Sequence, residues 1–367
     1  MKIKYKNKSN NFLLMQACIC GSSSNFSYVL NNDFGFDHNS YKPCVNLKKY
    51  RICNTCLSIK REDNEILNPF YSEYSHSTEN CITASNRLHR ISNFIIENIE
   101  DKDIKNLCDF GGGDGELLLL LKNKFQIASL YVIEIMKEGI NKKINYYSSL
   151  KEVLMDKNID VFIASNSLCY TDYSELFNLL SNREISPKYI IFAGSDFINR
   201  PSQLFYDDVT YNASRKGIKL FLQRCGYEFK ESELYDVNNK EYLILGIKKK
   251  EPVNQNIIPQ KYNKININLL KNEIINLYKV QANLVNKEKK ITIFGTSIDS
   301  AILSCFINSE FNFTKDSISK GEKFMGKEII TLETLESSKG KLLIPKLIEK
   351  TQLIIDRIIN SYNIDLV

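Results

Sequence analysis

A glycine-rich turn and four paired cysteines carry most of the chemistry legible in this sequence. In NLCDFGGGDGELLLLLK, from Asn106 to Lys122, a short apolar run reaches an acid, Asp109, then passes through Gly111, Gly113 and Gly115 into a second apolar run. Glycines there permit positive φ and let a ligand approach the backbone closely, and an acid at a strand end can accept hydrogen bonds. About twenty residues further on, YVIE puts Glu134 where a carboxylate takes both hydroxyls of a ribose. Two carboxylates around a glycine turn describe a nucleoside site. Nearer the start, Cys18-x-Cys20 and Cys53-x-x-Cys56 supply four thiols, the ligand set of a closed tetrahedral Zn2+ site, with Cys44 as a substitute ligand. The other reading of these cysteines is a set of buried free thiols, since Cys packs as a small hydrophobe.

The elements that must hold these residues follow from periodicity. From about residue 85 to 250, short apolar runs alternate with longer amphipathic ones, the pattern of a parallel α/β sheet. Expected strands are Asn106 to Phe110, Ser129 to Glu134, Asp160 to Ser165 and Tyr189 to Ala193, with Phe229 to Tyr235 and Glu241 to Lys248 closing the sheet as a hairpin. Residues 1 to about 70 read as loop-like and stabilised by something other than a large core. The polar stretch from Lys248 to Gln260 reads as a linker. Beyond it, a helix from Ile265 to Val285 and the strand, turn and helix of KKITIFGTSIDSAILSCFI begin a second α/β unit. The expected parts are therefore 1–80, a zinc-binding module; 81–250, a nucleoside-binding domain; and 251–367, a C-terminal α/β, Rossmann-like domain.

Three details favour S-adenosylmethionine (SAM) over a dinucleotide. Asp109 stands two residues before the first glycine, where a pyrophosphate would be repelled. A sheet ending in a hairpin suits a methyltransferase better than a dehydrogenase. Asn166, just past the fourth strand, falls at the carboxyl edge where open α/β sheets bind ligands. The alternative is a glycine turn that only packs a helix on a strand.

Composition narrows the function classes. The 367 residues carry Lys+Arg 49 against Asp+Glu 43, a net charge of +6 without a basic block. That argues against a nucleic-acid or membrane-surface binder and suits a small polar substrate. Apolar runs such as Leu117 to Leu121 are far short of the roughly 20 residues a spanning helix needs. The start, MKIKYKNKSNNFLLMQ, has a basic lead but a short apolar patch, so the expectation is a cytoplasmic protein. Of ten cysteines, five lie between Cys18 and Cys56, which points to a metal rather than to disulfides.

With the cysteine pairs, PFYSEYSHSTENC after them, DFGGGDG, GTSIDSAIL and DSISKGEKFMGKEI in view, nearly the whole chain resembles the sugar C-methyltransferases of deoxysugar biosynthesis. The resemblance implies a zinc-binding N-terminal module, a central class I SAM-dependent methyltransferase domain and a Rossmann-like C-terminal domain. It implies SAM and a structural zinc as cofactors, and a sugar or sugar nucleotide as substrate. Asp316, Lys320, Gly321 and Gly326 match its C-terminal motif, and the turn at Gly295 would help shape the substrate pocket. Tyr71 or Tyr74 would orient substrate and His76 would shuttle a proton; a surface loop is the alternative reading of that stretch.

Two departures stand out. The family methylates carbon beside a keto group, using a His-Glu-His run for proton abstraction. Here that run is Tyr206, Asp207 and Asp208, followed by Tyr211, and Tyr170 stands where a second histidine is expected after Asn166. The three histidines are His38, His76 and His89, all upstream of the glycine turn. Asp207 or Asp208 could replace the base with a raised pKa; an acidic pair before a helix is otherwise an N-terminal cap or dipole partner. The acceptor could instead be an oxygen or nitrogen, where positioning contributes most of the rate. A scaffold that keeps the fold without catalysis is the third reading. His89 reads as a helix-surface residue and Glu116 as a helix-dipole partner.

Overall fold

The computed structural model describes residues 18–23, 25–36, 43–62, 82–101, 103–134, 141–195, 200–206, 209, 211–232, 241–250, 266–315, 322–346 and 351–367. Three sheets organise them.

The first corrects the loop-like reading of the N-terminal part. Strands β1 (Phe26–Phe36) and β2 (Pro43–Cys53) form an antiparallel hairpin in register from Phe26 opposite Cys53 to Phe36 opposite Pro43, and β3 (Ile59–Arg61) extends it. Asn, Asp and Gly in β1 and Pro and Asn in β2 lower their apparent β-propensity. The period-two signal is nonetheless present over part of β2: Leu47 and Lys49 are exposed while Lys48 and Tyr50 are buried.

The second sheet is central. Helix α1 (Ile82–Asn98) leads into β4 (Asn106–Phe110), α2 (Glu116–Lys122), β5 (Ser129–Ile133), β6 (Asn145–Tyr147), α3 (Leu150–Asp156), β7 (Val161–Ser165), α4 (Tyr173–Ser181) and β8 (Tyr189–Ser195). After β9 (Tyr211–Asn212) come α5 (Arg215–Arg224), β10 (Tyr227–Glu231) and β11 (Glu241–Lys248). The sheet order is β10-β11-β8-β7-β4-β5-β6, with β4 through β8 parallel and β11 antiparallel to both its neighbours. Renumbered within the sheet, that is 3-2-1-4-5-7-6 read from the β6 side, the class I SAM-methyltransferase arrangement. The expected strands from Asn106 to Ala193 are found, and the last two pair antiparallel, β10 running Tyr227–Glu231 with residues 233–235 outside the described residues; the short, polar β6 is not among those expected.

Alternation explains why these segments are strands with both faces covered. Cys108, Phe162, Ala164, Ile190 and Phe192 pack one way, with Leu154, Leu176 and Phe221 from α3, α4 and α5. Leu107, Val161, Ile163, Ile191 and Ala193 pack the other way, with Ile91 and Ile95 of α1 and Leu117 and Leu121 of α2. Strand β9 leaves this region altogether and pairs with β3, so the N-terminal sheet is completed by a piece of the central sequence.

The third sheet follows α6 (Ile267–Val285). It contains β12 (Lys290–Phe294), β13 (Glu310–Thr314), β14 (Lys323–Phe324), β15 (Lys327–Ile330), β16 (Lys341–Leu343) and β17 (Asp365–Leu366), in the order β14-β15-β13-β12-β16-β17. Helices α7 (Ile298–Ser304), α8 (Leu332–Ser337) and α9 (Thr351–Ser361) accompany it. Ile274, Tyr278, Ala282 and Val285 form the helical stripe by which α6 joins its core. Phe36 and Phe205 enter that same core, while Tyr50, Ile52 and Ile59 pack with Ile267. The N-terminal sheet is thus in contact with both other units. Among the described residues, no helix is long and apolar enough to cross a membrane.

Candidate functional site

Strand β4 ends at the carboxyl edge of the central sheet, and the chain turns there through Gly111 to Gly115 before α2 begins. Gly111, Gly113 and Gly115 have φ of 70°, 54° and 77°, the left-handed region expected of them. At Gly111 the requirement is also spatial: a Cβ would lie 2.6 Å from the Cβ of Ser167 on the neighbouring loop. The turn is therefore pressed against the segment following β7, and its packing role and its exposure of backbone to a ligand are compatible. Asn166, also at positive φ (61°), is exposed at that edge, with its N–H donating to the Ala193 carbonyl at 2.8 Å.

Asp109 lies beneath the turn. Its side chain is close enough to Gly112 that a Cβ there would meet the Asp109 Cγ at 2.8 Å. It is only 3% exposed, and its Oδ1 has no hydrogen-bond partner within the protein. Burial pushes its pKa up to about 8; Arg87 opposes the shift, while Glu134 and Asp114 add to it. Glu134 directly follows β5, and its Oε2 accepts a hydrogen bond from the Gly113 N–H at 3.4 Å. The expected carboxylates thus flank one glycine turn from adjacent parallel strands. A buried carboxylate oxygen without a donor, a glycine cradle and a second, half-buried carboxylate fit the cationic amino-acid end and the ribose diol of SAM. Glu116 opens α2 in its first turn, as the helix-dipole reading expects.

Sequence reasoning missed Arg87. It lies on α1 and contacts Ser165 and Glu241 at the same sheet edge. Nothing in its local pattern marks it. Its partners lie 78 and 154 residues away.

The cysteine centre assembles from two loops. Cys18 and Cys20 sit on a turn closed by the Gly21 N–H to Cys18 carbonyl bond (2.7 Å), while Cys53 ends β2 and Cys56 lies in the turn before β3. The four sulfurs all lie within 4.8 Å of one another, with Cys18–Cys56 at 3.4 Å and Cys20–Cys53 at 3.5 Å. A tetrahedral zinc with bonds of about 2.3 Å would space its sulfurs about 3.8 Å apart, so the donor set fits in number, softness and spacing. Contact with Cys20 and Cys53, then burial, pushes the Cys18 thiol up, and contact with Cys18 does the same for Cys56. So many thiolates cannot be charged together without a cation. Cys44 is no substitute ligand: it pairs with Gly35 at the other end of the hairpin, nine residues along β2 from Cys53, roughly 30 Å at strand rise.

This centre is attached to the central domain. Tyr211 of β9 is buried, its hydroxyl 3.3 Å from the Cys18 sulfur and accepting from the Ile19 N–H at 3.0 Å. Ser214 Oγ donates to the Cys56 carbonyl, and Arg224 Nη1 donates to the Ile19 carbonyl at 3.0 Å. Tyr211, placed by resemblance in the substrate stretch, is thus a neighbour of the cysteines. Tyr71, Tyr74, His76, Asp207, Asp208, Asp316, Lys320 and Gly321 lie outside the described residues, as does His38. His89 is exposed on α1. Gly295 follows β12 with φ 90°, its N–H donating to Thr314 at 2.7 Å.

The chain matches no protein-family model and no curated protein sequence. Solved structures similar to it include an O-methyltransferase family protein from Burkholderia thailandensis, at 10% identity and TM-score 0.36 over 45% of this chain and 56% of that one. Others are the YcgJ protein of Bacillus subtilis (12%, TM-score 0.35, 44% of this chain, 100% of that one) and human N-acetylserotonin methyltransferase in complex with SAM (16%, TM-score 0.33, 47% and 60%). The chain therefore spans little more than half the length of the Burkholderia and human proteins.

Proposed function

We propose that this protein is a SAM-dependent methyltransferase acting on a nucleotide-activated or related sugar. The observation that carries the cofactor reading is Asp109, a buried carboxylate without a partner for its Oδ1, under a glycine turn at the carboxyl edge of a 3-2-1-4-5-7-6 sheet. When bound there, SAM supplies a methyl group activated by its sulfonium. In this reading Asp109 holds the amino-acid end, Glu134 the ribose hydroxyls, Gly111, Gly113 and Gly115 leave room for the ligand against the backbone, and Asn166 borders the adenosyl moiety. Cys18, Cys20, Cys53 and Cys56 hold a structural Zn2+, which supplies folding energy to the N-terminal module and fixes β9 through Tyr211.

The acceptor class rests on the sequence resemblance, and the division at 1–80, 81–250 and 251–367 on the alternation of apolar runs and the polar stretch from Lys248 to Gln260. Proton removal from the acceptor falls to Asp207 or Asp208, with Tyr71 or Tyr74 orienting substrate and His76 shuttling a proton. The lack of any histidine after His89 favours a second reading, transfer to oxygen or nitrogen, because those atoms need a weaker base than a carbon beside a carbonyl.

Calorimetric titration of the zinc-loaded protein with SAM and with S-adenosylhomocysteine (SAH) tests the proposal. Saturable binding of both is expected. Absence of heat with either ligand, on folded protein, would sink the enzyme reading and favour a scaffold.

A further inference from the structure

The carboxyl end of β8 gathers cationic groups that the cofactor roles do not use. Arg87 donates from Nε to Glu241 Oε2 at 2.7 Å and from Nη1 to Ser165 Oγ at 2.6 Å. Ser165 ends β7 and Glu241 opens β11; β8 lies between those strands, so the Arg87 guanidinium spans the end of β8. The last residue there is Ser195, in register with Glu241. Arg90, one turn along α1 from Arg87, donates from Nη2 to the same Glu241 oxygen at 3.1 Å. Arg200, on the segment after β8, adds its charge to that carboxyl.

Burial would raise the pKa of Glu241, but Arg87, Arg90 and Arg200 together hold it below the usual carboxylate range. Among the described residues, one carboxylate thus faces three guanidinium groups. Asp109 does not balance them, because its carboxyl is mostly protonated at neutral pH. Two buried polar atoms of this cluster, Arg87 Nη2 and Ser195 Oγ, make no hydrogen bond, and Ser195 is only 9% exposed. Buried donors without an acceptor are unfavourable, and a bound oxyanion accepts from both while offsetting the charge.

This cluster is set apart from the cofactor turn. The glycines follow β4 and Glu134 follows β5, whereas β8 is two strands from β4 on the other side, roughly 10 Å at ordinary strand spacing. A ligand held there lies beside the cofactor rather than in its place.

We propose that the end of β8 is an oxyanion subsite for the methyl acceptor, in which Arg90, Arg200, Arg87 Nη2 and Ser195 Oγ hold a phosphate or carboxylate carried by the acceptor itself. The substrate is then an acidic metabolite, with its charged group held near the methyl donor. The inference rests on the methyltransferase reading for calling this ligand the acceptor.

Inorganic phosphate and acetate, each titrated against chloride at constant ionic strength into the zinc-loaded full chain saturated with SAH, test this by thermal shift. At least one should stabilise the protein saturably, with a Kd of about 1–10 mM, as a few charge-assisted bonds would give. Which anion does so tells a phosphate-bearing acceptor from a carboxylate-bearing one. Arg90→Gln should weaken that Kd about tenfold and leave SAH affinity as it was; Glu241 keeps its bond from Arg87. Ser195→Ala should weaken it about threefold without lowering the unfolding temperature of the anion-free protein, since its hydroxyl has no bond to lose. The inference is overturned if neither anion acts beyond chloride, if either variant keeps the wild-type Kd, or if the anion displaces SAH. Failure to bind SAH would instead remove the methyltransferase reading, and the same titration without SAH would still decide whether the subsite exists.

Discussion

The hydroxyl of Tyr211 stands 3.3 Å from the sulfur of Cys18, joining residues 193 apart in sequence and linking the cysteine centre to the strand that follows the proposed substrate stretch. The ring of Tyr211 also packs on Tyr173, with centroids 4.3 Å apart. Tyr211→Phe keeps that ring and removes the hydroxyl, stranding the Ile19 N–H. A loss of about 1–2 kcal/mol follows from one buried hydrogen bond. At about 2–4 °C per kcal/mol for a chain of this size, thermal unfolding should shift down by a few degrees with metal content unchanged.

Metal analysis of protein purified without chelators should give close to one zinc per chain. Cys56→Ser should lose it and unfold about 6–12 °C lower, taking a loss of about 3 kcal/mol at a buried site. Cys44→Ser, at the far end of the hairpin, should change neither quantity. Equal zinc loss from both variants would count against the four-cysteine centre.

Asp109 ties cofactor binding to pH. Its carboxyl, raised by burial to about 8 against the opposing charge of Arg87, is mostly protonated at neutral pH in the free protein. An ammonium ligand requires the ionised form. SAH binding at pH 7 should therefore release about one proton, measurable from the buffer dependence of the binding heat. Below about pH 8 the affinity should rise with pH, and the proton release should fade above it. A flat profile between pH 6 and 8 would rule out this role for Asp109.

Asp109→Asn should separate binding from stability. Because the native state holds this proton up to about pH 8 and the unfolded chain releases it near pH 4, Asp109 costs native stability progressively across that window. The Asn variant should match the wild type in thermal stability near pH 4 and surpass it above pH 8, yet bind SAH at least tenfold more weakly. Glu134→Ala should weaken SAH by about as much, through the ribose, with no such pH-dependent gain.

Carbon and heteroatom transfer differ in whether an enolate forms. Incubating keto-sugar nucleotides with enzyme in deuterated water reports this directly. With no histidine after His89, we expect no carbon-bound deuterium and methylation of a hydroxyl or amine. Deuterium uptake dependent on Asp207 or Asp208 would reverse that assignment.

Local sequence determined a good deal. The run NLCDF, the glycines at positive φ and the acids at the ends of β4 and β5 are short-range features, because strand burial, left-handed φ and a strand-end carboxylate are each set within a few residues. The paired cysteines were legible for the same reason. Tertiary structure decided what those signals could not. The N-terminal hairpin was obscured by strand residues whose β-character comes from packing against Ile267 and Leu204 rather than from propensity. The extended run of β2 separates Cys44 from Cys53. Arg87 acquires its place only because β7 and β11 bring Ser165 and Glu241 to one edge. Such an arrangement depends on which strands are neighbours, and strand order is a long-range property that residue spacing along the chain does not encode.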